Sequence, residues 1–241
     1  MRSKFIILFT GCISICLSSF GQIRFVPDDP YNLYSVGINV GYTTMYGDLS
    51  QSNPQPAFIA NLSRHMSSNV IIGVELQHGT LSSTEPANRW TTGLGMTNSF
   101  NAFNVNGKVT LAEVFKNPHN IVLKALSNLY AGLGVGIIDN DLTKITNKFK
   151  VSDTATIDPD FKKSSIALVV PLNLGLNIYM KRFLGYGGAQ FNINYQLNYA
   201  FSDYVDGYNF SPSTTRNKSN DMYSIFSVGF AIYIGHVDDY Q

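Results

Sequence analysis

Cysteine is all but missing from this chain. The two present, Cys12 and Cys16, lie near its start, so the remainder forms no disulfide and offers no thiolate. Charge is scarce as well. Charged residues make up 14% of 241, against roughly 25% in an ordinary soluble domain. The formal net charge of +1 excludes the basic surface that a nucleic-acid partner requires. No long apolar run occurs after the N-terminus, so helical membrane spans are excluded. What the chain does have is apolar and aromatic residues, 44% and 13%, too many for a disordered segment. Its length suits one large all-β unit.

Residues 1–21 read as an export signal. Arg2 and Lys4 supply the positive region, residues 5–20 are mostly apolar, and Ser19 and Gly21 set small residues before a cut ahead of Gln22. A lipoprotein reading would use Cys12, but the apolar run before it is short and continues past it. Both cysteines therefore leave with the signal. Without Arg2 and Lys4, 15 basic residues face 16 acidic ones, a net charge of −1. Residues 22–241 form a single domain.

That domain repeats one pattern: about ten residues alternating large apolar with small or polar, then a turn. In the first segment Tyr34, Val36, Ile38, Val40 and Tyr42 share one face, with Ser35, Gly37, Asn39, Gly41 and Thr43 on the other. A period of two puts these sets on opposite sides of a strand. The sixth segment alternates Val170, Leu172, Leu174, Leu176 and Ile178 with Pro171, Asn173, Gly175 and Asn177. The seventh alternates Phe191, Ile193, Tyr195, Leu197 and Tyr199 with asparagine and glutamine. Weaker segments over residues 56–66, 70–80, 101–111, 129–137 and 222–235 bring the number to eight.

A soluble barrel would show the same period, so the decision rests on which face is the core. The second face is Gly, Ser, Thr, Asn and Gln with hardly a charge, a poor surface for water. In a bilayer the arrangement inverts, with apolar side chains on lipid and a polar, small-residue interior. About 9–11 tilted residues span the hydrocarbon, and Tyr34 and Tyr42 bracket the first strand as interfacial aromatics would. The expectation is an all-β protein, an eight-stranded antiparallel transmembrane β-barrel.

Turn lengths give its direction. Residues 66–70 and 181–185 are tight, whereas 45–55, 82–100, 139–163 and 202–221 are long. Short inner turns and long outer loops place both termini in the periplasm. The misfit is residues 112–128, too long for an inner turn. They read as a capping loop or strand extension in preference to a partner-docking element.

An eight-stranded barrel is just wide enough for its own side chains, which argues against a diffusion porin. Glu75 and Lys108 point inward at near-matching register and are expected to pair, because buried charges normally do. Together with Asn61 and Asn106 they form the expected lumen polar network. His65 also faces inward, as a satisfied residue in preference to a ligand. An enzyme of the lipid A-modifying kind needs a nucleophile with a base in reach. His78 with Ser82 or Ser83 is the only offer, and it lacks an acid partner. Asp139-Asn140-Asp141 begins like a calcium loop, but Lys144 and Lys150 stand where Gly and Glu belong. Gly132, Gly134 and Gly136 lie in a strand and open no helix, so they make no nucleotide fingerprint. They leave room in the lumen instead. His119 and His236 are isolated, and Tyr204, Tyr208 and Phe210 read as a folded loop cap before a ligand surface. No cofactor, metal or catalytic residue is expected.

The last strand, Ser227-Val228-Gly229-Phe230-Ala231-Ile232-Tyr233-Ile234, resembles the bacterial β-signal read by the barrel insertion machinery. Ser227, Gly229, Ile232 and Ile234 match its four slots, although a polar tail, residues 236–241, follows. The whole mature chain resembles small outer-membrane barrels of the OmpA/OmpX architecture. Ser19-Phe20-Gly21-Gln22, Tyr46-Gly47-Asp48-Leu49 and Tyr130-Ala131-Gly132-Leu133-Gly134-Val135-Gly136 are similar to the PorG-type family of Bacteroidota. That resemblance implies a non-enzymatic outer-membrane component of type IX secretion and gliding machinery, surrounded by outer-membrane lipid and contacting periplasmic lipoproteins. The alternatives are a stand-alone surface barrel using its outer loops for adhesion or ligand contact, and, behind it, a lipid A-modifying enzyme.

Overall fold

The computed structural model describes residues 32–47, 51–67, 69–85, 94–111, 128–146, 150–152, 155–156, 164–180, 188–202, 205 and 220–236. Eight long strands carry the fold: β1 Asn32–Tyr46, β2 Gln55–His65, β3 Val70–Glu85 and β4 Leu94–Thr110, then β5 Leu129–Thr146, β6 Ser164–Met180, β7 Ala189–Ala200 and β8 Met222–His236. Each pairs antiparallel with its neighbours in the chain, and β8 returns to β1 from Asn32↔His236 to Tyr46↔Met222. The sheet is a closed barrel. Closure leaves no long unpaired edge in the wall, which a strand surrounded by hydrocarbon could not tolerate.

Side-chain parity follows the sequence. Ile38, Val135, Leu168 and Leu174 stand on the outside, each more than 60% exposed, while Asn104 and Gln196 inside are fully covered. At the tight turn after β2, the Met66 N–H donates to the Val70 carbonyl at 2.9 Å. Beside it the Arg64 guanidinium lies 5.8 Å above the exposed Tyr34 ring, joining a cation to an aromatic at one rim of the apolar belt.

Three expectations need correction. Four strands run further than the alternation indicates, because β3 continues to Glu85, β4 begins at Leu94, β5 reaches Thr146 and β6 begins at Ser164. Parts of the segments read as long loops are therefore strand. Beyond the belt the outward residues turn polar (Ser82, Thr97, Ser99, Asp141), so the hydropathy signal ends while the hydrogen-bond ladder persists. Residues 45–55 likewise include the end of β1, and Gln51–Ser52 pairs with Ser83 and Thr84. The lumen is also not polar throughout. Its long-loop end is packed with Met45, Leu81, Phe100, Ile138, Tyr223 and Ile225, all buried.

Pro171 faces inward from the middle of β6. Lacking an N–H, it stands where the β5–β6 register is interrupted, between Leu133↔Leu172 and Gly136↔Val169. Residues 1–31, 112–127 and 237–241, with Tyr204, Tyr208 and Phe210, lie outside the described residues, as do the readings placed on them.

Candidate functional site

The polar lumen is the site that the sequence singles out. Lys108 Nζ lies 2.9 Å from Glu75 Oε1, with side chains 17% and 5% exposed. The pair forms because β3 and β4 align Glu75 with Asn104 and Ile71 with Lys108, so the long lysine reaches back along its own face. Gln77 Nε2 and Gln196 Nε2 each donate to Glu75 Oε2 at 3.4 Å, and Gln77 Nε2 donates to Gln196 Oε1 at 2.7 Å. Two amides thus support the carboxylate that the lysine neutralises.

Tyr130, which the sequence reading left out of the network, connects the rest. Lys108 Nζ stands 5.4 Å from its ring centroid. Its hydroxyl donates to Asn194 Oδ1 at 2.9 Å and accepts from Asn192 Nδ2 at 3.0 Å. From Asn192 the bonds run to Asn39 and on to Asn61, at 3.2 and 3.1 Å. From Asn194 they run to Asn173 and on to Asn106, at 3.0 and 3.3 Å. Glu75, Lys108, Asn61 and Asn106 therefore belong to one connected set, with neither asparagine bonded directly to the ion pair.

Glycine makes room for these amides. A Cβ on Gly136 would collide with Asn104 Oδ1 and the Phe103 carbonyl, and one on Gly134 with Asn106 Oδ1 and the Val105 carbonyl. A backbone oxygen cannot swing aside as a side chain can, so only the smallest residue fits opposite each asparagine.

At the tight-turn end, His65 Nε2 lies 3.2 Å from Ser35 Oγ, and its ring is 5.2 Å from that of Tyr233. The Tyr233 hydroxyl donates to Gln190 Oε1. His65 is thus a partnered lumen residue. At the other end, the Phe100 and Tyr223 rings meet at 5.4 Å. Asn98 Nδ2 donates to the Val205 carbonyl, whose N–H donates to Asp221 Oδ2 at 2.9 Å. Among the described residues, three layers fill the bore: aromatic and amide, ionic, and apolar. Side chains fill most of the bore, although a polar cavity lined by Ser35, Asn61, His65, Lys108, Tyr130 and Asn192 remains toward the tight-turn end, and the buried amides of Asn104, Asn140 and Asn198 have no hydrogen-bond partner among the described residues.

The hydrolytic candidates do not converge. His78 faces outward and pairs through Nδ1 with Asn101 Oδ1 at 2.9 Å. Ser82 donates to the Met96 carbonyl at 3.1 Å, and Ser83 is buried on the lumen side. Asp139, Asn140 and Asp141 lie within β5, so they form no calcium loop. No group of three metal-ligating side chains occurs among the described residues. In β8, Ser227 is buried on the lumen face, while Ile232 and Ile234 face outward.

No protein-family model matches the chain, and no curated protein does. Among solved structures it is similar to Neisserial surface protein A, with 9% identity over 86% of this chain and all of that one, at a TM-score of 0.42. It is also similar to Ail, the attachment invasion locus protein of Yersinia pestis, with 9% identity over 83% and 99% of the two chains and a TM-score of 0.38. For the N-terminal β-barrel domain of Pseudomonas aeruginosa OprF the values are 10%, 85%, 100% and 0.33. The eight-stranded barrel itself rests on the strand pairing described above.

Proposed function

We propose that this protein is an exported, non-enzymatic barrel of the outer membrane that serves as a structural or assembly component of a surface machine. The observation that carries the reading is a side-chain-filled, ion-paired lumen inside an apolar belt. Such a barrel suits anchoring and scaffolding, and not conduction. The belt argues for the membrane: exposed Ile, Leu, Val and Phe encircle the wall while the amides turn inward, as lipid solvation favours. In this reading both termini are periplasmic, and the insertion machinery reads Ser227, Gly229, Ile232 and Ile234. The PorG-like motifs make type IX secretion the named machine, with periplasmic lipoproteins as its partners.

Location has a test whose sign decides it. Leu174 is 62% exposed near the middle of β6. Leu174→Arg is expected to cost about 2–4 kcal/mol of unfolding free energy in lipid vesicles, the price of a cation at the bilayer midplane. On a water-exposed wall the same change would be neutral or would improve solubility.

Mild-detergent isolation from native outer membranes, followed by mass spectrometry, tests the role. Stoichiometric recovery of periplasmic lipoproteins or a secretion channel is the expected result. Recovery of the barrel alone would refute the machine component. The second reading would then stand, a free surface barrel acting through the chain between its strands at the long-loop end.

A further inference from the structure

The apolar belt does not keep one height around the barrel. On β6 every outward residue from Ile166 to Ile178 is aliphatic, and on β7 every one from Phe191 to Tyr199 is aliphatic or aromatic. On β3 the outward apolar run is Val70, Ile72, Val74 and Leu76, after which His78, Thr80 and Ser82 continue the same face. On β2 it is shorter still, with Phe58, Ala60 and Leu62 between Pro56 and Arg64. In the closed ring of eight, β2 and β3 stand opposite β6 and β7.

The stagger of the strands relates these heights. From Val40 the register partners run through Phe58, His78, Asn101 and Asp139 to Ile166. In the other direction they run through Val228 and Ile193 to Leu176, on the same strand but ten residues nearer the tight-turn end. Shared among eight strands, that stagger sets a level line about 1.25 residues per strand below the register row, or about four residues from β3 to β6. Val70 reaches Leu174 through Val109 and Ala131, so its level on β6 is Ile178. Leu76 reaches Leu168 through Phe103 and Ile137, so its level is Leu172. The two walls share a lower border, whereas β6 stays apolar for six residues above Leu172, up to Ile166. At about 2.5 Å of axial rise per tilted residue, the belt is about 15 Å tall at β3 and about 30 Å at β6.

A hydrocarbon core of about 30 Å fits β6 and not β3. Tilting the barrel does not reconcile them, because lowering Ile166 would push Ile178 out through the level border beneath. A flat bilayer reaching Ile166 would immerse His78, Asn101 and the Asp139 carboxylate in hydrocarbon, which is costly. A bilayer meeting a short apolar wall thins instead. We infer that this barrel deforms the lipid around it: the leaflet at the long-loop end is thinned beside β2 and β3 and keeps its full depth beside β6 and β7. The inference rests on the membrane reading above.

Spin labels on opposite walls test it. The chain has no cysteine beyond Cys16, so single labels can be placed by substitution in a Cys12→Ser/Cys16→Ser background. Thr80 reaches Ser164 through Ser99 and Asp141, which puts it level with Leu168. Thr80→Cys and Leu168→Cys therefore compare the two walls at one height, and Val70→Cys and Ile178→Cys compare them at the lower border. The labelled barrels are reconstituted at a low protein-to-lipid ratio in phosphatidylcholine vesicles with a core of about 30 Å. Collisions with oxygen, which favours hydrocarbon, are then compared with those of a water-soluble nickel chelate. The oxygen-to-nickel ratio should be several-fold higher at position 168 than at 80, and alike at 70 and 178. A ratio at 80 equal to or above that at 168 would overturn the inference. So would unequal ratios at 70 and 178, the mark of a tilted barrel. Leu174→Cys, in mid-belt, reports insertion itself, and a low ratio there would overturn the membrane reading instead.

Discussion

Lys108→Met lowers the unfolding free energy by about 3–5 kcal/mol, because it strands a buried carboxylate without its cation. Glu75 is 4% exposed, and among the described residues it has, beyond the lysine, two amide donors at 3.4 Å. Those bonds are long and cannot carry a full charge. The methionine fills the lysine stem's volume, so the loss comes from charge and not from a cavity. The double variant Glu75→Gln/Lys108→Met should recover most of the stability, since replacing both partners removes the desolvation cost together with the attraction. Equilibrium urea unfolding in detergent micelles measures all three proteins. A single variant within about 1 kcal/mol of the parent would mean that water or another group reaches Glu75.

The second large effect is expected at the apolar end of the lumen. Phe100 is fully buried, and its ring packs on Tyr223 and lies over Gly79, where an added Cβ would meet ring carbons at 2.9 and 3.1 Å. Phe100→Ala should cost about 3–5 kcal/mol, as other buried aromatic truncations do, from lost burial plus the cavity left. Phe100→Leu should retain part of that. The closed wall cannot collapse inward to fill the void, because its hydrogen-bond ladder sets the barrel's radius. The same unfolding assay reads this variant. A loss below about 1 kcal/mol would show that the apolar layer does not hold this end of the barrel together.

A lumen filled largely by its own side chains, inside an apolar belt, is what the proposed anchoring role requires. The outward face is set for lipid and the inward face is occupied by its own side chains. Binding to anything else is left to the ends of the strands, the segments between them and the outer wall. This is the physical ground for looking to partners and lipids before solutes.

The alternation of the sequence was enough to determine the class of fold and the facing of nearly every strand residue. Period two assigns Ile38 outward and Asn39 inward whatever the rest of the chain does. The near absence of charge on both faces then selects lipid outside and amides inside. It also brought Glu75 and Lys108 to the same side of adjacent strands. What it could not supply is contact across the bore. Gln77 and Gln196 are 119 residues apart and meet only because β3 and β7 stand opposite each other in a closed ring. Tyr130 on β5 reaches Asn194 on β7 for the same reason, and no local pattern marks it. The extensions of β3 to β6 escaped as well, since above the belt the outer face becomes polar and the period loses its contrast. Phe100, Ile138 and Leu81 lie inside that silent stretch. Parity is a property of one strand and is written along it, whereas the layers of the lumen come from eight strands at once and exist only after closure.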